Sequence, residues 1–133
     1  MRDFKPFILV LHDNDESALV HPLTRALKDD FSIFFVTSSS SAKTLLQSIV
    51  PDCIILDLSS AEAVPTRECI RSLNFKPPVL AFVSSQFLTQ VAPEIELHPS
   101  EALTDPSALR DIVETASKRP HRNSQFDYDI CNS

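Results

Sequence analysis

Asp57 closes the apolar run Pro51-Asp52-Cys53-Ile54-Ile55-Leu56-Asp57. The acids Asp13, Asp15 and Glu16 follow the only comparable run near the N-terminus, Phe7-Ile8-Leu9-Val10-Leu11. A buried strand that ends in a carboxylate carries a desolvation cost unless something uses that charge. If the two runs are neighbouring parallel strands, their acidic ends meet at one edge of a sheet as a small anionic hollow. Carboxylates gathered in this way suit Mg2+, which takes few protein ligands, keeps several waters and bridges to phosphate oxygens. A carboxylate neutralised by such a cation can attack a phosphoryl donor as a nucleophile.

Such a hollow needs parallel strands, and the chain has the pattern for them. Apolar, β-rich runs recur at 7–11, 32–36, 53–57, 79–83 and, weakest, 101–104. Their spacing is that of a strand, a turn and a crossover helix. The first four are almost continuously apolar, as strands covered on both faces should be. Leu19, Leu23, Ala26 and Leu27 repeat at helical spacing after an Asp15-Glu16-Ser17 start, with Pro22 expected to bend or delay that helix. Ser41 is read as the cap of a second helix with Ala42, Leu45, Leu46 and Ile49 inward, ended by Pro51. A third begins with Pro65 in its first turn, turns Cys69, Ile70 and Leu73 to one face, and closes at Asn74 and Pro77-Pro78. A short fourth piece is expected at 86–91. Asp105-Pro106, an N-cap followed by proline at the first helical position, starts a last helix with Leu109, Ile112, Val113 and Ala116. The sum predicts an α/β fold: a five-stranded parallel sheet, doubly wound and flavodoxin-like, in the order 2-1-3-4-5. The segment 92–100 reads either as a long loop before strand five or as an alternative strand at 95–98. Residues 1–118 are expected to form the domain and 119–133, where the pattern dissolves into polar residues, a flexible tail.

Bulk composition narrows the function. The chain has 133 residues, a formal net charge of −6, 43% hydrophobic and 23% charged residues. That is one globular domain with a proper core. The negative charge argues against a nucleic-acid binder. No apolar stretch is long enough to span a membrane, and the five-residue run near the N-terminus is too short for a secretory signal. A cytoplasmic protein is expected. There is no glycine at all, so no P-loop or dinucleotide fingerprint can exist, and turns fall to Asn, Asp, Ser and Pro. A nucleophile elbow is excluded on the same ground. Cys53, Cys69 and Cys131 lack metal-ligand spacing, and the first two read as small buried hydrophobes.

In an open α/β sheet, ligands bind beyond the carboxyl ends of the strands where strand order reverses. In the order above, strands one and three flank that point. His12, Asp13 and Asn14 follow the first, Asp57 ends the third, and Ser84 and Ser85 follow the fourth. Here the chain resembles the receiver domains of two-component response regulators, over roughly residues 5–118. The resemblance is carried by strand order, by length, by the Pro51-Asp52 approach to Asp57 and by the Pro78-Val79-Leu80 start of strand four. It implies that Asp57 is the phosphoacceptor, that Asp13 and Asp57 hold Mg2+ together with the backbone carbonyl of Ser59, and that Ser84 serves as the switch hydroxyl. It also implies a histidine kinase or phosphotransfer protein as donor and a downstream protein as target, with no catalytic residue of an enzyme in the chain. The target would be met by helix four, strand five and helix five. No output domain is expected to follow.

The chain departs from that pattern at several positions. His12 stands where the family has the first of its paired acids, which removes one charge from the cation site. By strict register the switch hydroxyl falls on Val83, with Ser84 one place later. Ala61 and Glu62 replace the Pro and Gly usual after the acceptor. No lysine occurs between Lys76 and Lys118, so the family's strand-five lysine is missing, and His98-Pro99 only mimics a Lys-Pro pair. Two readings therefore stand. Either Asp57 accepts a phosphoryl group, or the domain is a degenerate pseudo-receiver that binds a partner without phosphorylation. A small α/β enzyme is a third reading that rests on fold analogy alone. Residue by residue, plain roles compete as well: Asp57 and Asp13 as caps of loops or helices, His12 as a solvated strand-end imidazole, and Ser84 as an ordinary loop serine.

Overall fold

Residues 6–12, 20–58, 61–73, 75–83, 95–118 and 122–123 are described by the computed structural model of the chain. In chain order the elements are β1 (Phe7–Leu11), α1 (Val20–Leu27), β2 (Ser32–Val36), α2 (Ser39–Ser48), β3 (Cys53–Leu56), α3 (Ala63–Arg71), β4 (Phe75–Lys76), β5 (Val79–Val83), β6 (Glu96–Pro99), a 3-10 helix (Ser100–Thr104), α4 (Pro106–Ser117) and β7 (Arg122–Asn123). Five strands form one sheet in the order β2-β1-β3-β5-β6, all parallel. Numbered within the sheet, this is the 2-1-3-4-5 order predicted from the sequence.

The continuous apolar runs are explained by cover on both sides. One face packs Ile8, Val10, Cys53, Ile55 and Leu80 against Leu23 and Leu27 of α1 and Leu109, Val113 and Ala116 of α4. The opposite face packs Leu9, Leu11, Ile54 and Leu56 against Ala42 and Leu46 of α2 and Ala63 and Ile70 of α3. Adjacent residues of a strand point to opposite faces, so a strand between two helical layers has no polar position to spare.

The register of β1 against β3 is set at their N-terminal ends. Phe7 N donates to Asp52 Oδ2 at 2.8 Å, and Asp52 N donates to Phe7 O at 2.8 Å. This double link makes Asp52 a clamp on β1, and it pairs Leu9 with Ile54 and Leu11 with Leu56 further along.

Strand five differs from the weak run at 101–104. The fifth strand of the sheet is β6, close to the alternative at 95–98, and pairs Leu80 with Glu96 through Val83 with Pro99. Residues 100–104 form the 3-10 helix instead. Ala102 and Leu103 are helix formers, and Pro99 ends the strand that precedes them. The second helix also starts earlier than the Ser41 cap predicted. Ser38 is the N-cap, its Oγ accepting from Ser41 N at 3.1 Å. Ile49 is the C-cap and is 41% exposed, not inward. Pro22 lies in the first described turn of α1. The Asp15-Glu16-Ser17 start and the short helix expected at 86–91 lie outside the described residues. Within the segment read as a tail, β7 pairs antiparallel with β4, Asn123 facing Phe75 and Arg122 facing Lys76.

α4 begins as its sequence indicates. Asp105 Oδ1 accepts from Ser107 N at 3.2 Å and Ala108 N at 3.3 Å, with Pro106 at the helix start. Removing such a cap leaves amide hydrogens without a protein acceptor. Asp105→Ala should therefore lower the unfolding free energy by about 1 kcal/mol, seen as a lower urea midpoint with an unchanged slope.

Candidate functional site

β1 and β3 end side by side. Leu11 pairs with Leu56, and Asp57 N then donates to Leu11 O at 3.0 Å, while His12 N donates to Val36 O of β2 at 3.0 Å. His12 and Asp57 are thus level, one residue past the last register pair. Period-two alternation continued by one step places both on the face that carries Val10 and Ile55. The His12 ring agrees with this, lying edge-to-face on Phe35 with centroids 5.7 Å apart and planes at 79°. Both residues are half-buried, and Leu58, which follows Asp57, is 36% exposed. The strand ends therefore bring Asp57 and His12 together at the point where strand order reverses. Asp13, Ser59 and Ser84 lie outside the described residues.

The structure shows the surroundings of two positions that depart from the expected pattern. His98 lies on β6 opposite Phe82, and its Nε2 is 2.6 Å from Glu96 Oε2, with the ring tilted on Phe82 at 5.8 Å. The imidazole at the Lys-Pro-like position is held by a glutamate of its own strand. Val83, the strict-register position for a switch hydroxyl, is the last residue of β5 and pairs with Pro99.

Glu62 is a residue whose role sequence reasoning missed, having read it only as a departure. It occupies the N-cap position of α3, and its Oε1 accepts from both Ser39 N at 2.8 Å and Ser39 Oγ at 2.9 Å. The carboxylate thus sits on the first residue of α2, where unpaired amide hydrogens and the helix dipole favour negative charge. The link ties the chain that leaves Asp57 to the neighbouring helix. Thr66, fully buried, reinforces the turn by donating Oγ1 to Glu62 O at 2.7 Å. The Ser39 amide first, and its hydroxyl second, hold the Glu62 carboxyl below its ordinary value, against a smaller opposing effect of burial. A depressed folded-state value means that this stabilisation is present above the unfolded-state value and is lost as pH falls through the folded one. Glu62→Gln should flatten that part of the acid response. The check is the urea midpoint between neutral and acidic pH, which should fall further in the parent protein than in the variant.

Among the described residues, no three His, Cys, Asp or Glu side chains gather as ligands for a metal. Of the expected Mg2+ ligands only Asp57 lies among the described residues, with the His12 imidazole at the neighbouring strand end. No helix of the described residues is long and apolar enough to cross a membrane.

The fold is that of solved receiver domains. The chain is similar to a response regulator receiver protein from Sinorhizobium medicae WSM419, with 17% identity over 85% of this chain and 94% of that one and a TM-score of 0.59. It is similar to a CheY-like receiver domain from Methylobacillus flagellatus, with 16% identity, 85% and 99% coverage and a TM-score of 0.64. It is also similar to the Francisella response regulator 1452 receiver domain, with 17% identity, 86% and 98% coverage and a TM-score of 0.62. No protein-family model matches the sequence, and no curated protein matches it.

Proposed function

We propose that this chain is a receiver-like signalling domain whose output is recognition by another protein, with Asp57 in the phosphoacceptor's place. The observation that carries the reading is the level pairing of the β1 and β3 ends, which sets Asp57 at the reversal point of a receiver-type sheet. In the step itself a carboxylate oxygen of Asp57 bonds to phosphorus as the bond from phosphorus to the donor's imidazole nitrogen breaks. The products are an aspartyl phosphate and a free histidine on the donor, a histidine kinase or phosphotransfer protein. Binding of Mg2+ here is weak, because an imidazole replaces one acid. The target of the domain is met by β6 and α4 together with the segment between β5 and β6, the counterpart of the face receivers use.

A second reading, a pseudo-receiver that is never phosphorylated, is favoured by His98. Receivers carry a lysine on strand five that pairs with the acceptor, whereas His98 is engaged with Glu96. One experiment separates the two. The protein is treated with a small phosphodonor or beryllofluoride at millimolar Mg2+, alongside Asp57→Asn, and followed by mass and amide shifts. An adduct that requires Asp57 supports the acceptor; silence in both proteins leaves the pseudo-receiver.

One groove among the described residues bears on the small-enzyme reading. A groove of about 250 Å3 lies at the N-terminal end of the strands, lined by Asp30, Asp52, Arg110, Glu114 and Lys118 among others. Its lining mixes charged side chains with the apolar Pro6 and Phe31. Arg110 of α4 pairs with Asp30 across it, and Lys118 pairs with Glu114 along the end of α4, so these charges offset one another.

A further inference from the structure

We infer that the outer edge of β2 is a self-association surface, where a second copy of this chain adds its own β2 antiparallel about a two-fold axis at Phe34. The inference rests on the sheet alone and is independent of any chemistry at Asp57.

The backbone of β2 sets this register. Ser32 N donates to Pro6 O at 2.9 Å, and Val36 O accepts from His12 N at 3.0 Å. Ladder bonds alternate along a strand, so Ser32, Phe34 and Val36 turn their backbone groups toward β1, and Ile33 and Phe35 turn theirs outward. Among the described residues β2 pairs with β1 alone. Laid antiparallel on itself with Phe34 on the axis, β2 sets Ile33 opposite Phe35 of the second copy. Each such pair exchanges both N–H···O bonds, which satisfies the outward groups of the two residues. Phe34 then faces its own counterpart as a non-hydrogen-bonded pair, where side chains come closest. Its ring is 42% exposed although it rests edge-to-face on Phe7 of β1, with centroids 4.7 Å apart. Phe7 lies on the β1 side, and the counterpart ring covers the outer one.

The two edges of the sheet differ in a way that favours this pairing. An edge strand is a template for further pairing, and proteins blunt it with charges, proline or bulges. β6, at the far edge, carries Glu96 and Pro99. β2 reads Ser-Ile-Phe-Phe-Val, with neither charge nor proline, and stays in register with β1 along its whole length. Two copies therefore bring no like charges face to face along it. A β2–β2 contact is isologous and closes at the dimer, while both β6 edges stay uncovered. One short strand a side is little beside the roughly 20–30 residues of a standard interface, so the dimer is weak and concentration-dependent.

The test follows the full chain by sedimentation and by amide hydrogen exchange from about 10 µM to about 1 mM, the range of a weak complex. The expected result is a monomer that becomes a dimer and no larger species. Over the same range the Ile33 and Phe35 amides should pass from fast to slow exchange. The Phe34 and Val36 amides, turned to β1, should be slow throughout. Phe34→Lys sets two ammonium groups opposite each other across the axis and should keep the chain monomeric. Phe34→Thr retains a strand former and should raise the midpoint concentration about tenfold through loss of the ring pair. Val64→Lys changes a more exposed apolar side chain, on α3, and should leave the dimer as it is. Amide spectra at low concentration verify that the variants fold. A parent chain monomeric at about 1 mM, a dimer undiminished by both Phe34 changes, equal loss in Val64→Lys, or association that runs past the dimer each overturn the inference. So does slow exchange of Ile33 and Phe35 at every concentration, because the edge is then occupied within one chain.

Discussion

Ile55→Ala is expected to lower the unfolding free energy by about 4 kcal/mol, in the upper part of the range for large-to-small core changes. Ile55 is fully buried in β3, level with Val10 of β1 on one side and Leu80 of β5 on the other, both also fully buried. Its side chain packs in the layer beneath α1 and α4. A sheet held by hydrogen bonds on both flanks cannot close over the vacated volume, so the cavity term adds to the lost transfer energy. Domains of this size are stable by only about 5–15 kcal/mol in total, and the variant would be close to the edge of folding at 37 °C. Urea unfolding at 25 °C measures it, provided the slope is unchanged. Ile49→Ala is the contrast, since that side chain is exposed beyond the end of α2, and its effect should stay within about 0.5 kcal/mol. If the Ile55 variant lost no more than the Ile49 variant, the two-sided core would be wrong.

In the phosphodonor experiment, Asp57→Asn should abolish the adduct altogether. The amide has the shape of the carboxylate but no negative oxygen to attack phosphorus, so the change is all or none. The parent protein should gain the mass of one phosphoryl group, as an acyl phosphate that hydroxylamine removes. Unfolding is not a competing explanation, because Asp57 is half-buried just past β3 and its anchoring bond is made by the backbone N–H. The variant's urea midpoint should stay close to the parent's. An adduct of equal yield in the variant would place the acceptor on another residue and end the receiver chemistry proposed for Asp57.

Much of this fold could be read from the residues, for a physical reason. β1, β2 and β5 coincide with the apolar runs at 7–11, 32–36 and 79–83, and β3 lacks only Asp57 of its run. Burial on both faces leaves β1 and β3 with no alternation to misread, and β2, although an edge strand with Phe34 exposed, still carries the apolar run Ile33-Phe34-Phe35-Val36. β6 escaped because it is half-buried throughout and its Glu96-Leu97-His98-Pro99 carries no such run. Asp105 was legible as a cap because proline follows it, whereas in a row of four serines Ser38 and Ser41 cannot be told apart by type. Glu62 was not legible, since its partner Ser39 is 23 positions away and only the packed α2–α3 pair brings them together. The meeting of His12 and Asp57 followed from strand order. Asp13, Ser59 and Ser84, the remaining expected site residues, lie outside the described residues.

The lack of glycine has a consequence for the unfolded chain. Every described residue keeps a negative φ, so none of the described connections needs a left-handed turn. A residue with a Cβ roams less of backbone space when denatured than glycine does, and each exchange is worth on the order of 0.4–1 kcal/mol where the native angles permit it. Part of this domain's resistance to heat should thus come from the limited freedom of its denatured ensemble and not from any contact in the folded one. Swapping single turn residues such as Asp29 for glycine should lower the melting temperature while leaving every native hydrogen bond in place.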